Sequence, residues 1–143
     1  MGDKNSQDYI LLDHTADMGF EIKGADPAEL FKKAGQALIH IMFGAVPATG
    51  ADKVKVSLKS YDLSDLMVRW LTEILYLFEG ERLITTDIIV DSLSHETIDA
   101  TLMTSPFDPL KHEILREIKA ITYHQIDVIQ KDGIWKARVI MDL

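Results

Sequence analysis

Asp62-Leu63-Ser64-Asp65-Leu66-Met67-Val68-Arg69-Trp70-Leu71-Thr72-Glu73-Ile74-Leu75-Tyr76-Leu77-Phe78-Glu79-Gly80 carries the clearest helical pattern in the chain. Leu63, Leu66, Met67, Trp70, Leu71, Ile74, Leu75 and Phe78 advance in alternating steps of three and one, the spacing of a single wide apolar helix face. Asp62 stands where an N-cap belongs, and Gly80 stands where a helix commonly ends. An aromatic stripe can also line a cofactor pocket, but at this spacing the reading is core packing. The stripe is about as wide as a core-facing helix can carry.

Upstream, Tyr9 to Leu12 and Met18 to Lys23 read as strands, the second with clear alternation. Asp26-Pro27-Ala28-Glu29 starts a second helix, with Asp26 as cap and Pro27 in the first helical position. That helix runs to about Phe43 and stops at Gly44, and Val46 to Gly50 is a loop. Val54, Val56 and Leu58 alternate with lysines and serine, which predicts a strand with one wet face. Downstream, Leu83 to Val90 and the alternation of Ile98, Ala100 and Leu102 predict two more strands. Phe107-Asp108-Pro109 is a turn, and 112–117 fits no single pattern. The β-branched run from Ile118 to Ile129 predicts one strand, and Lys131-Asp132-Gly133 a tight hairpin turn into Ile134 to Met141. No strand-helix-strand rhythm repeats. The expected fold is α+β, a single domain spanning 1–143, with predominantly antiparallel sheet packed with two main helices.

Composition narrows the function classes. The chain has 143 residues, 47% hydrophobic and 27% charged, with a formal net charge of −8. Such an acidic chain is not expected to bind nucleic acid through a broad basic face. The sequence contains no cysteine, which excludes disulfides, thiolate metal sites and a cysteine nucleophile. No apolar run reaches the roughly 18 to 20 residues of a membrane span. Residues 1–7 lack an apolar signal core, so a cytoplasmic protein with a loose amino terminus is expected.

One short stretch departs from ordinary core logic. Asp13-His14-Thr15-Ala16-Asp17 places two acids and an imidazole between Ile10-Leu11-Leu12 and the alternating Met18, Phe20 and Ile22. Acids so flanked need a donor, a counter-charge or a metal. At the other end Val139-Ile140-Met141 runs into Asp142-Leu143, a second apolar run ending on an acid. Two readings of Asp13 and Asp17 stand: a turn in which the carboxylates cap backbone amides, or oxygen ligands for a hard cation. There is no phosphate-cradling glycine loop, nucleophile elbow or paired-histidine metal motif. His14, His40, His95, His112 and His124 are spaced apart, and only His124, in Lys119-Ala120-Ile121-Thr122-Tyr123-His124, sits in a suggestive context.

Three separated motifs together resemble the archease family. They are Asp13 to Asp17 with Gly19, the Trp70-Leu71 and Ile74-Leu75 helix, and Phe107-Asp108-Pro109 with Ile118 to His124 and Asp142-Leu143. The resemblance runs from about Tyr9 to Leu143. At Thr104-Ser105 the chain departs from the Gly-Glu of many members, so no role passes to a carboxylate in that loop. The resemblance implies a cytoplasmic accessory protein rather than an enzyme, an activator of an RtcB-type RNA ligase in tRNA splicing and RNA repair. It would promote guanylylation and multiple turnover of the ligase. It also implies a divalent metal, calcium, on Asp17, Asp142 and the main chain of Leu143, with Asp13, His14, Lys119 and His124 supporting the site or facing the partner. Two alternatives are a chaperone-like modulator of a tRNA methyltransferase and a metal-dependent phosphohydrolase built on Asp13, Asp17 and Asp142.

Overall fold

A computed structural model describes residues 9–13 and 17–143. Its elements follow the order β1 (Tyr9–Asp13), β2 (Asp17–Gly24), α1 (Pro27–Phe43), β3 (Asp52–Lys59), α2 (Leu63–Glu81), β4 (Leu83–Leu93), β5 (Thr97–Pro106), β6 (Ala120–Ile121), β7 (Asp127–Lys131) and β8 (Ile134–Asp142). Every described strand pair is antiparallel. A three-stranded sheet runs β3-β5-β4, and a five-stranded sheet runs β1-β2-β8-β6 with β7 also on β8. Strand β8 is the hub: β2 pairs along one side of it, while β7 and β6 share the other side in succession.

Both helices touch strands of both sheets, which is why their buried faces are so wide. Helix α2 buries Leu66, Met67, Trp70, Leu71, Ile74, Leu75 and Phe78 as the periodicity predicts. Trp70 is 0% exposed, and its indole Nε1–H donates to the Phe31 carbonyl of α1 at 2.8 Å. The one polar atom of that ring is thereby satisfied inside the core. Phe43 and Phe78 meet edge to face at 4.9 Å, and Phe107 joins Phe78 at 5.4 Å. This aromatic group pins the 107 turn to the ends of the two helices. The turn itself is one helical-type loop, in which the His112 amide donates to the Asp108 carbonyl at 2.8 Å.

The two helix starts use the same device. Asp26 accepts from the Glu29 amide at 2.8 Å, and Glu29 reaches back to the Ala25 amide at 2.7 Å. Asp62 accepts from the Asp65 amide at 2.8 Å, and Asp65 reaches back to the Tyr61 amide at 3.1 Å. These are reciprocal caps that satisfy amides the helix leaves unpaired. Asp65 does more, because Arg69 Nε donates to its Oδ2 at 2.9 Å and the Tyr123 hydroxyl to its Oδ1 at 2.6 Å. The Tyr123 bond leads, with the Tyr61 amide and Arg69 behind it, in holding the Asp65 carboxyl below the usual carboxylate range against an opposing effect of burial. The same bond pushes the Tyr123 phenol up.

Two boundaries differ from the sequence reading. Helix α2 does not close at Gly80; it continues to Glu81, and Arg82 takes the left-handed cap at φ 55°. Its amide bonds the Phe78 carbonyl at 2.9 Å and its guanidinium lies over the Phe78 ring at 4.8 Å, which offsets the backbone cost. The run 118–129 is not one strand. Only Ala120–Ile121 and Asp127–Lys131 pair with β8, and between them Gln125 at φ 52° turns the chain. Thr122 explains part of the break: its own amide still bonds the Ile140 carbonyl at 3.0 Å, but its hydroxyl takes the His124 amide at 3.2 Å, a local alternative to the ladder for that residue. The Asp132-Gly133 hairpin turn is as predicted, with φ 55° and 78° at its two central residues.

Removing the Trp70 side chain is expected to cost about 3–5 kcal/mol of stability. Trp70→Phe should fall in between, because it keeps most of the apolar volume but loses the bond to the Phe31 carbonyl. Urea denaturation of both variants checks this order. Asp65 gives a pH signature. Its folded pKa lies below its unfolded one, so its stabilisation is fully present above about pH 4 and is lost as pH falls through the folded value. The stability gap between the wild type and Asp65→Asn should therefore be constant from neutral pH down to about pH 5 and close in acid, as read from denaturation midpoints across that range.

Candidate functional site

Three segments converge at one corner of the five-stranded sheet. β1 and β2 form a ladder whose last pair is Asp13 with Met18. β2 then lies along β8 in a register that sets Asp17 directly opposite Asp142. On the other side of β8, Ala120 stands opposite the same Asp142, and the Lys119 amide donates to the Asp142 carbonyl at 2.8 Å. Residues some 120 positions apart in the chain are thus ladder neighbours.

Gly19 makes the close fit possible. A Cβ at that position would stand 2.7 Å from the Val139 carbonyl oxygen and 2.6 Å from Ile140 Cδ1. The first neighbour is backbone, so the strand could not accept a side chain without shifting beside Asp17. Ile140, only 3% exposed, occupies the room that glycine leaves.

Directly paired residues share a sheet face, so the face carrying Asp17 and Asp142 can be read down the ladder. Glu21 pairs with Arg138, and the Arg138 Nη2 donates to Glu21 Oε2 at 2.8 Å. Lys23 pairs with Lys136 at the far end. Like charges placed opposite one another are unfavourable. For Lys23, open to solvent, water screens that cost. Asp17 is different: its Oδ1 is enclosed and has no hydrogen-bond partner among the described residues. The other such oxygen is Thr85 Oγ1, on β4 in the second sheet.

An enclosed, unpartnered carboxylate oxygen beside a second carboxylate fits a hard cation, which takes just such oxygens. Asp17 and Asp142 supply the carboxylates. Leu143, partly buried against the core, brings main-chain oxygen to the same ladder end. No three Asp, Glu or His side chains come together as a metal cage among the described residues. The side chain of Asp13 and all of His14 lie outside the described residues, so the structure does not address their assignment. Lys119 is exposed beside Asp142. His124 is exposed too, but it lies in the turn after β6 and not on the single strand predicted for 118–129.

Two residues near this corner escaped the sequence reading. Asp65 and Arg69 hold Tyr123, the residue before His124, from the first turns of α2. The spacing of Asp62 and Asp65 hinted at a reciprocal cap. Nothing local hinted at a bond across 58 residues.

Comparison with known proteins places the chain and its fold. The model of the Archease protein family matches residues 9–143. The archease of Methanosarcina barkeri is 34% identical over 139 residues, covering 94% of this chain and 95% of its own. That of Methanopyrus kandleri is 30% identical, covering 92% and 96%. The solution structure of Methanobacterium thermoautotrophicum protein 1598 superposes with a TM-score of 0.80 at 30% identity, covering 95% of this chain and 99% of that one. A crystal structure from Thermotoga maritima, described as an archease and possible chaperone, shares the fold with a TM-score of 0.63 at 20% identity, covering 92% and 94%. A match along the whole described chain, two relatives at 30% identity or more and a shared fold establish that the chain belongs to the archease family.

Proposed function

We propose that this protein is an accessory factor that activates an RtcB-type RNA ligase, promoting guanylylation of the ligase and its repeated turnover. The observation that carries the reading is the Oδ1 of Asp17, enclosed and without a hydrogen-bond partner among the described residues, on a residue set opposite Asp142 in an archease chain. Asp17, Asp142 and the main-chain oxygen of Leu143 would hold a divalent cation, calcium, since the donors are all hard oxygens. When bound, the ion neutralises the paired acids and offers a hard Lewis-acid surface to phosphate oxygens.

The chain's own residues supply the rest. The β2–β8 register, which pairs Asp17 with Asp142, supports the reading. Lys119, exposed and tied through its amide to the Asp142 carbonyl, would offer its ammonium as a point charge to a partner's phosphate. A net charge of −8 favours approach to a basic RNA-handling cleft and disfavours broad RNA binding by the accessory itself. Among the described residues no helix is long and apolar enough to cross a membrane. A chaperone-like role toward a tRNA methyltransferase is the second reading. The Thermotoga structure's description as a possible chaperone favours it.

The decisive measurement is guanylylation of a purified ligase with and without this protein. Asp17→Ala and deletion of 142–143 should each lower stimulation by roughly tenfold or more while circular dichroism stays native, and calcium affinity should fall in parallel. Lys119→Ala should keep both fold and calcium affinity and weaken stimulation alone. A folded deletion variant that binds calcium and stimulates normally would overturn the site. Phosphoester hydrolysis by the isolated protein, abolished by Asp17→Ala, would overturn the accessory reading in favour of an enzyme.

Chelation gives an independent check. The core rests on Trp70 and the two sheets, so the chain should stay folded in chelator. Its melting temperature should fall only by the loss of a bound ligand, about 2.7 kcal/mol at hundredfold saturation. Calorimetry with and without chelator reads this, and complete unfolding would contradict it.

A further inference from the structure

Strand β6 is two residues long, yet it belongs to the segment that carries Lys119 to the Asp142 corner. It is the last strand on that side of the sheet, so one of its edges has no ladder partner. Buried Ile118 and Ile121 anchor its apolar side. Beyond them the chain turns at Gln125, and a strand this short next to a turn frays easily.

Two residues past β6 stands Tyr123. Its hydroxyl donates to Asp65 Oδ1 at 2.6 Å. Asp65 is a fixed post: it is 9% exposed, its own amide is capped by Asp62, and its Oδ2 accepts from Arg69 and the Tyr61 amide. The carboxylate cannot follow the tyrosine, because helix α2 holds it from several directions. Tyr123 is 56% exposed, so its ring contributes little by burial. The bond from its hydroxyl is the strong link. On the other side the Thr122 amide and hydroxyl both donate to the Ile140 carbonyl, each at 3.0 Å. The segment is therefore gripped between α2 and β8.

We propose that Tyr123, bonded to Asp65, is a positioning residue that clamps the 119–124 segment onto β8 and so holds Lys119 at the Asp142 corner. It touches neither a metal ligand nor a partner's reacting atoms in this assignment. The functional half rests on the reading of that corner as the ligase-activating site.

The test pairs a structural readout with a functional one. Tyr123→Phe removes the donor and leaves the ring. Amide hydrogen exchange at Lys119 and Thr122, whose amides bond Asp142 and Ile140, should speed up about tenfold or more, with the global denaturation midpoint little changed. Maximal ligase stimulation should drop several-fold while the half-saturating concentration of accessory stays put, since docking is intact and only Lys119 is misplaced. Asp65→Asn keeps an acceptor oxygen and should retain most of the stimulation, whereas Asp65→Ala should match Tyr123→Phe. Tyr76→Phe, an exposed tyrosine elsewhere on α2, is the control and should change neither readout. Unchanged exchange at Lys119 in Tyr123→Phe overturns the clamp whatever the ligase does. Faster exchange with full stimulation overturns its role at the site. If the wild type fails to stimulate any ligase, the functional reading falls, and the exchange data alone decide the clamp.

Discussion

The ladder between β2 and β8 is the constraint on which everything else depends. It joins Asp17–Gly24 to Ile134–Asp142 over eight register pairs, closing nearly the whole chain into one sheet. Closing so long a loop costs entropy that only the finished pairing repays. The fold is therefore cooperative around β8: β6, β7, the bond from Tyr123 to Asp65 and the Asp17–Asp142 corner all presuppose that strand in place. Contacts this distant in sequence also predict slow folding compared with a helical bundle of equal size.

How much of this was legible in the sequence follows from the range of the interactions involved. Both helices declare themselves through local periodicity and caps, and the Asp132-Gly133 turn through the backbone angles its residues tolerate. The run from 118 to 129 misled because β-branched residues report fitness for a pleated surface, not the presence of a partner along its whole length. Thr122 and Gln125 break it, and β8 divides one edge between two short strands. Gly80 misled for a related reason: Arg82 finds enough support on Phe78 to close the helix later.

The site shows the same division. The acids of 13–17 and 142 stand out in the sequence by their apolar flanks. The juxtaposition of Asp17 and Asp142 follows from register, which hydrophobic alternation narrows to one face but cannot index to a residue. The clamp on Tyr123 was invisible, because it joins a helix cap to a turn through one hydroxyl. Its partners are ordinary residues with ordinary local duties.

The sequence of charge pairs down the outer face of the five-stranded sheet has a further physical result. Acids face each other at Asp17 and Asp142, a neutralised pair follows at Glu21 and Arg138, and lysines face each other at Lys23 and Lys136. Six residues of strand separate the ends, about 20 Å. The face is thus an electric dipole lying along the strands, superimposed on the molecule's overall negative charge. A monopole draws a body in without regard to its attitude, whereas a dipole in a field gradient feels a torque. With no cation on the acid pair, a partner with a positive cleft would turn this molecule acid-end first during approach, and added salt would slacken that alignment by screening charges that stand farther apart than the Debye length.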